Sequence, residues 1–151
     1  MSIIENIHGH EDLAALNDEQ RAILCGEIRE YLVSSVAKTG GHLASNLGTV
    51  ELTVALETVY NTMHDRLVFD VGHQSYVHKL LTGRQADFSR LRKFGGISGF
   101  PKPTESETDA FVAGHASSSV SIALGMGFSI SQRMPASWCG YGVNFMGSPP
   151  S

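Results

Sequence analysis

Apolar residues recur at helical spacing between residues 18 and 38, and this is the most regular pattern in the chain. The positions that share one face are Leu24, Ile28, Tyr31, Leu32 and Val36. The preceding segment 17–20 (NDEQ) has the composition of a capping box, and Gly40 and Gly41 follow the pattern. The sequence therefore predicts a helix over 18–38 with one buried face.

A shorter apolar run over 67–71 has a different character. It is β-branched and aromatic, follows the polar turn 61–66 and stops at Gly72, which predicts a buried strand. Residues 74–81 then show a helical pattern that is closed by Gly83. A strand, a glycine turn and a histidine at the start of a helix are the arrangement with which α/β proteins bind ligands.

The rest of the chain alternates helical and irregular segments. Helical patterns are predicted over 50–60, about 88–94 and about 117–126, with Ser117 as the cap of the last one. The short apolar run 110–113 fits a second strand. Residues 95–109 form the longest irregular segment, and a loop of that length within a compact domain is usually functional or mobile. We therefore expect an α/β fold.

The bulk composition is that of a globular protein with a core. The 151 residues are 42% hydrophobic and 17% charged, and the net charge of −4 gives no reason to expect nucleic acid or an anionic membrane as a partner. No apolar stretch approaches the length of a membrane span, and the first residues lack the pattern of a signal peptide. Cys25 and Cys139 are isolated, so we expect reduced thiols and a cytoplasmic location, with Cys25 in the core.

The character of the chain changes after Phe128. Residues 129–151 contain one charged residue, Arg133, and show neither a helical nor a strand period. A folded continuation of an α/β domain would alternate strands and helices. We therefore divide the chain into a domain over 1–128 and an irregular tail over 129–151.

Three histidines, His42, His73 and His115, lie next to glycines at predicted element boundaries. An imidazole at such a position can donate to a phosphate oxygen or shuttle a proton near physiological pH, so the three turns are interpreted as walls of one pocket. The alternative is a set of loop histidines satisfied by backbone carbonyls, and the residues alone leave both interpretations open. His78 falls on the following helix and is interpreted as a packing or surface residue.

A histidine-based zinc module is a rival interpretation with less support. His73 and His78 are five residues apart, unlike the i, i+4 pair of a helical metalloprotease motif, and the two cysteines have no paired spacing. The glycines match neither the P-loop nor the dinucleotide-binding fingerprint, and no serine lies in a G-x-S-x-G elbow. The residues alone thus predict an anion-binding, histidine-lined pocket without a named reaction.

Three long segments, in order and with matching spacing, resemble the 1-deoxy-D-xylulose-5-phosphate synthase family. They are 38–48 (KTGGHLASNLG), 70–79 (DVGHQSYVHK) and 95–101 (GGISGFP), within a resemblance over about 12–128. It implies a thiamine-diphosphate-dependent transferase of the transketolase type. Such an enzyme joins pyruvate, after decarboxylation, to glyceraldehyde 3-phosphate and feeds isoprenoid and thiamine biosynthesis.

The resemblance also implies roles for single residues. According to the resemblance, His42 is a catalytic residue placed for proton transfer or substrate contact. His73 is then a residue that binds the cofactor. Gly114, His115 and Ala116 match the cofactor-binding Gly-His-Ser triplet of the family, with Ala116 lacking the serine hydroxyl. The implied fold is an incomplete doubly wound, mostly parallel sheet with flanking helices, a partial thiamine-diphosphate-binding domain, and the implied assembly is a homodimer.

The magnesium ligands of the family have no counterpart in the sequence. In the family a strand ending in Gly-Asp-Gly and a later asparagine hold the Mg²⁺ that bridges the diphosphate, whereas 129–151 has no acidic residue. No metal ligand is therefore predicted, and we expect the second and third domains of the family to be absent. We interpret the chain as an N-terminal fragment that ends in unrelated sequence, as a frameshift or a truncated gene would produce.

Such a fragment is expected to be inactive and poorly soluble on its own. The alternative is an interaction fragment, a subunit that docks on a separate chain supplying the missing domains.

Overall fold

The structure is a computed structural model that describes residues 2–133 as helices joined by turns and loops. The α-helices are α1 (His10–Ala14), α2 (Asp18–Thr39), α3 (Leu43–Leu47), α4 (Val50–Val59), α5 (Tyr76–Leu81) and α6 (Ser119–Arg133). Two 3₁₀ helices lie at Ile4–Asn6 and Gln85–Arg90. None of the helices between residues 2 and 133 is both long and apolar enough to cross a bilayer.

The predicted helix over 18–38 is confirmed as α2. The Asn17 side chain accepts a hydrogen bond from the Gln20 backbone N–H, and the Gln20 side chain accepts one from the Asn17 N–H, both at 2.9 Å, so the capping box is present. Gly40 ends the helix in a left-handed conformation with φ 75°. Both ends of α2 are thus fixed by residues that the sequence pattern marked.

α2 supplies the central face of the core. Its apolar residues Leu24, Ile28 and Leu32 are completely buried, and Cys25 is buried beside them as predicted. α3, α4 and both 3₁₀ helices pack against α2, while α5 lies against α4 and Gln85–Arg90. Burial of three leucine-sized side chains contributes about 5–9 kcal/mol before conformational entropy is subtracted.

α5 is short but buried along its whole length. Tyr76, Val77, Leu80 and Leu81 have no exposed surface, and its two basic residues are equally buried. The helix ends at Leu81, as the sequence predicted, and Gly83 follows it with φ 84°. Because α5 begins directly after the turn that carries His73, this fully packed helix gives that turn a rigid support.

Two predicted helices have different bounds in the structure. In place of a helix over about 88–94 there is the 3₁₀ helix Gln85–Arg90, which ends because Leu91 is extended and Arg92 is left-handed with φ 61°. Ser117 does not cap α6, because its own φ is 62° and the helix starts two residues later. α6 also continues to Arg133, past the boundary placed at Phe128.

The predicted strands have no counterpart among residues 2–133, where no strand is assigned. The runs 67–71 and 110–113 are irregular there, and the doubly wound sheet remains a prediction. The part of the predicted tail beyond residue 133, including Cys139, lies outside the described residues.

Candidate functional site

The turn before α3 brings His42 close to the buried ring of Tyr76. Gly40 and Gly41 have φ of 75° and 144°, which reverses the chain after α2. A Cβ on Gly41 would lie 2.7 Å from the Tyr76 hydroxyl, so only glycine allows this approach. The His42 backbone N–H points at the same hydroxyl at 3.4 Å.

The turn before α5 places His73 by an unusual backbone path. Val71 and Gly72 are both left-handed, with φ of 61° and 87°. A β-branched residue in that region costs about 1–3 kcal/mol, so the surrounding contacts must hold it there. One such contact is the hydrogen bond from Gln74 Nε2 to the Asp70 carbonyl at 2.8 Å.

The two turns bring the rings of His42 and His73 together. Their centroids are 4.9 Å apart and their planes meet at 66°, an edge-to-face pair. The Phe100 ring, from the 95–109 loop, lies 6.5 Å from the His42 ring. His42 is exposed and His73 is half-buried, so the pair lies at a surface that a ligand can reach.

A third segment reaches the same place through Gly72. A Cβ on Gly72 would meet Pro101 Cδ at 2.7 Å and Ala113 Cβ at 2.9 Å, so the backbone at Gly72 packs directly against both neighbours. Gly114, His115 and Ala116 follow Ala113 in the chain, and all three are exposed. The structure therefore brings the predicted triplet next to the His73 turn, and its role in cofactor binding stays a prediction.

The carboxylate of Asp70 occupies the first turn of α6. It accepts hydrogen bonds from the backbone N–H groups of Ser117 and Ser118 at 3.1 Å and of Ser119 at 3.3 Å. These hydrogen bonds hold the pKa of Asp70 below its usual value, and the bond from Ser117 contributes most. The anion-binding end of this helix is thus already filled by a side chain of the protein.

Buried polar atoms without a hydrogen-bond partner lie beside the histidine pair. Among the residues that the structure describes they include His73 Nδ1, Gln74 Oε1 and Ser75 Oγ. Buried polar groups in proteins are normally paired, by protein, water or ligand. Three consecutive residues with unpaired atoms therefore mark a place where a polar ligand would be held.

α5 also carries part of a group of buried charges that sequence analysis missed. We call it the ionic cluster, and its members are Glu57, His78, Lys79, Arg84, Glu105 and Asp109. His78 lies between two carboxylates, with Nδ1 2.5 Å from Glu57 Oε1 and Nε2 2.9 Å from Asp109 Oδ1. Both ring nitrogens must donate to face two carboxylates, so His78 is the charged imidazolium. The interpretation of His78 as a packing or surface residue did not include this ionic role.

The other members tie the 95–109 loop to α5. Arg84 forms a bidentate pair with Asp109 at 2.8 and 2.9 Å, and Lys79 Nζ donates to Glu105 Oε2 at 2.6 Å. The second oxygen of Glu105 accepts from the Ser98 N–H at 2.6 Å. With three cations and three anions, the ionic cluster is electrically balanced.

Burial and pairing shift the pKa values in the ionic cluster in opposite directions. For His78, burial by itself lowers the pKa, but the hydrogen bonds to Asp109 and Glu57 outweigh it and raise the pKa. For Asp109, burial acts to raise the pKa, and the bonds from His78 and Arg84 lower it well below its usual range. Burial lowers the pKa of Lys79 despite its pairing with Glu105.

A cleft of about 480 Å³ lies away from the histidine pair. Its lining residues include Met63, Arg66, Ala110, Met126 and Ile130. None of the predicted site residues lines it. The turns that meet at His73 bring together polar atoms that can bind a ligand, whereas the cleft is identified by its volume alone. The His73 region is therefore the stronger candidate for a ligand site.

No metal site accompanies these features. Between residues 2 and 133 no group of three or more His, Cys, Asp or Glu side chains is arranged to hold a metal ion. The zinc-module interpretation therefore gains no ligand set from these residues.

Sequence analysis did not assign roles to Asn46, Tyr76 or Phe100, which shape the site. All three lie in the segments that carry the resemblance, and the structure shows that Asn46 and Tyr76 are completely buried. The partners of His78 lie 21 and 31 residues away along the chain. No local pattern in the sequence identifies partners at such distances.

Comparison with known proteins supports the family resemblance that the three segments carry. Residues 4–137 match the family model described as 1-deoxy-D-xylulose-5-phosphate synthase, a match that also runs past Phe128. The synthase of Azobacteroides pseudotrichonymphae is 59% identical over 125 residues, which are 83% of this chain and 20% of the relative. The synthases of Natranaerobius thermophilus and Parabacteroides distasonis are 56% and 55% identical over 124 residues, or 82% of this chain. The chain spans about 20% of the length of these relatives, and with a match of this extent it belongs to the 1-deoxy-D-xylulose-5-phosphate synthase family.

Proposed function

We propose that this chain forms part of the thiamine-diphosphate-binding domain of a cytoplasmic, homodimeric 1-deoxy-D-xylulose-5-phosphate synthase. The observation that carries the proposal is the pairing of the His42 and His73 rings, 4.9 Å apart, from two of the segments that resemble the family. The proposal includes the doubly wound sheet, for which the helices of residues 2–133 would form part of one face. Pyruvate and glyceraldehyde 3-phosphate are the proposed substrates.

The residues present fit an anionic, nitrogen-rich cofactor. His73 Nδ1 is buried and unpaired, and the neighbouring Ser75 Oγ and Gln74 Oε1 are likewise without partners. These buried atoms offer donors and acceptors beside the histidine pair, where a cofactor would replace water. When bound, thiamine diphosphate supplies a nucleophilic carbon for decarboxylation and carbon–carbon bond formation.

The protein residues then have separate roles. His73 holds the cofactor through its ring, and the backbone of Gly114, His115 and Ala116 binds alongside. The exposed ring of His42 moves a proton to or from the substrate at the mouth of the site. The N-terminus of α6 takes no part in holding the diphosphate, because Asp70 already binds its N–H groups.

The residues present do not fit Mg²⁺. No ligand set lies between residues 2 and 133, and no aspartate or glutamate follows Asp109 in the sequence. Mg²⁺ requires oxygen ligands in octahedral geometry and usually a carboxylate. We therefore propose that the chain alone is inactive and binds the cofactor weakly.

The first test uses the purified chain. Isothermal titration with thiamine diphosphate, with and without Mg²⁺, is expected to show weak binding that Mg²⁺ does not strengthen. An assay for 1-deoxy-D-xylulose 5-phosphate from pyruvate and glyceraldehyde 3-phosphate is expected to show no product. Product formation by the chain alone would contradict the proposed inactivity.

The second test asks whether these residues can serve the reaction in a complete enzyme. In a chimera, the 125 matched residues of this chain replace the corresponding segment of the Azobacteroides synthase. The chimera is expected to be active, with His42→Ala lowering kcat about 100-fold or more. His73→Ala is expected to weaken cofactor binding about 10-fold, since it removes one hydrogen bond to a charged group.

The matched control is His64→Ala, which removes an exposed histidine outside the site. It is expected to leave kcat and cofactor affinity within a factor of two. If His42→Ala and His73→Ala in an active, folded chimera behave like His64→Ala, the proposed roles are wrong.

A second candidate function is an interaction fragment that docks on a separate synthase chain. The observation that favours it is α6, whose Val120 and Leu124 are 77% and 61% exposed. Large apolar side chains exposed on a helix are normally covered by another element or chain. Co-purification of the chain with a synthase lacking the matching segment, together with recovered activity, would support docking over an isolated fragment.

A further inference from the structure

Asn46 lies in α3 between the turn that carries His42 and the turn that carries His73. Its side chain is completely buried, although asparagine is a polar residue that is mostly found at the surface. A buried amide persists in a protein only when its donors and acceptors are used.

The amide of Asn46 is bonded to both turns. Nδ2 donates to the carbonyl of His42 at 2.6 Å and to the carbonyl of His73 at 2.8 Å. Oδ1 accepts from the backbone N–H of Tyr76, the first residue of α5, at 2.8 Å. The orientation of the amide follows from these partners, because the flipped amide would face two carbonyls with an oxygen.

Only a neutral amide has this combination of two donors and an acceptor on one planar group. An aspartate keeps the acceptor for Tyr76 N–H but presents an oxygen to the two carbonyls. The link between the two histidine turns would then become a repulsion. The Tyr76 hydroxyl supplies a second link to His42, but at 3.4 Å it is weaker.

We propose that Asn46 is a positioning residue that sets the arrangement of the His42 and His73 rings. It bonds the carbonyls of the same two residues whose rings are 4.9 Å apart, so one side chain joins directly the two turns that carry the rings. The role of this arrangement in binding and catalysis rests on the proposed function. The hydrogen bonds of Asn46 and the contact between the two rings do not depend on it.

The test is nuclear magnetic resonance of the full chain labelled uniformly with ¹³C and ¹⁵N. A nuclear Overhauser effect between the ring protons of His42 and His73 is expected in the unmodified chain. Asn46→Asp is expected to abolish it while the backbone amide spectrum of α2 stays unchanged. Loss of the ring contact with α2 intact is a signature that a general loss of stability would not give.

Two control variants separate positioning from stability. Ser45→Ala removes a neighbouring hydroxyl that reaches the His42 carbonyl only at 3.4 Å, and the ring contact is expected to survive. Asn17→Ala removes the cap of α2 and lowers stability far from the site, and the ring contact is again expected to survive. Persistence of the effect in Asn46→Asp, or its loss in Asn17→Ala, would overturn the inference.

A measurement on the unmodified chain keeps the inference testable if Asn46→Asp does not fold. The side-chain amide protons of Asn46 are expected to exchange with solvent about 100-fold more slowly than those of the exposed Asn6. Equal exchange rates would overturn the inference. Failure of the unmodified chimera to bind thiamine diphosphate would instead contradict the proposed function, because neither measurement here uses the cofactor.

Discussion

At the scale of single residues, the site depends on positions where a side chain would not fit. Gly72 has φ 87° and lies where a Cβ would be 2.7 Å from Pro101 and 2.9 Å from Ala113. Both neighbours belong to segments that close the site around His73. The glycine therefore combines backbone conformation with close packing of three chain segments.

Gly72→Ala is expected to lower the free energy of unfolding by about 2–4 kcal/mol, from overpacking and from the left-handed backbone. Gly26→Ala is the matched control, because Gly26 lies in α2 with nothing within 4 Å of an added Cβ. That substitution is expected to raise the free energy of unfolding by about 0.5–1 kcal/mol, because alanine has a higher helix propensity than glycine. Urea unfolding of both variants tests whether the two changes in the free energy of unfolding have opposite signs. Equal changes would contradict the packing described for Gly72.

The pKa of His78 makes a prediction at the same scale. Its folded pKa is raised, so its contribution to stability is fully present below the unfolded pKa of about 6.5 and is lost as pH rises through the folded value. The free energy of unfolding of the unmodified chain minus that of His78→Gln is therefore expected to fall above about pH 6.5. Urea unfolding at pH 5 to 9 measures this difference. A difference that stays constant over that range would show that His78 is not the paired imidazolium.

At the scale of elements, the ionic cluster fixes the 95–109 loop to α5. Glu105 bridges the Ser98 N–H and Lys79 Nζ, both at 2.6 Å, and the loop then places Phe100 beside His42. The loop is thus held through its charged residues, with Pro101 and Ile97 as buried apolar contacts.

Glu105→Gln is expected to destabilise the chain by about 1–3 kcal/mol, because Lys79 keeps its buried charge and loses its closest partner. Amide exchange over 96–101 is expected to accelerate with it. Glu107→Gln, an exposed change in the same loop, is the control and is expected to stay within about 0.5 kcal/mol. Hydrogen exchange measured by mass spectrometry compares both variants with the unmodified chain. Unchanged exchange over 96–101 in Glu105→Gln would contradict the bridging role of Glu105.

Element prediction from the sequence succeeded where the signals were local. The capping box at Asn17 and Gln20 and the repeat of Leu24, Ile28 and Leu32 define α2 without reference to any other element. The cap of α6 was misassigned to Ser117 because the true partner, the Asp70 carboxylate, lies 47 residues earlier in the chain. His78 is buried, as the packing alternative predicted, but its ionic role was missed for the same physical reason, since tertiary partners decide its charge.

At the scale of the whole molecule, the described residues leave apolar surface uncovered. Val120 and Leu124 of α6 are exposed, as is Val112 just before the predicted triplet, at 60%. Apolar surface of this kind favours association between chains or with a partner. The relatives are about four times as long as this chain, which agrees with a surface that other parts of a synthase cover.

The double substitution Val120→Ser and Leu124→Ser is expected to reduce self-association of the chain. Leu52→Ser, which changes a 60% exposed residue of α4, is the control and is expected to have little effect. Sedimentation velocity over a range of concentrations measures the association. If all three chains sediment alike at every concentration, α6 is not the associating surface.

The balance of charge in the ionic cluster has a consequence for how this part of the sequence can change. Loss of an ion whose side chain is completely buried, such as Asp109, leaves its partners buried with less compensation, which costs about 3–5 kcal/mol, whereas removing a matched pair can be nearly neutral. His78 and Glu57, or Arg84 and Asp109, are therefore expected to show strong epistasis. Every mutational path between two tolerated states would have to cross a poorly folded single mutant, and in a selection experiment these positions should change together or not at all.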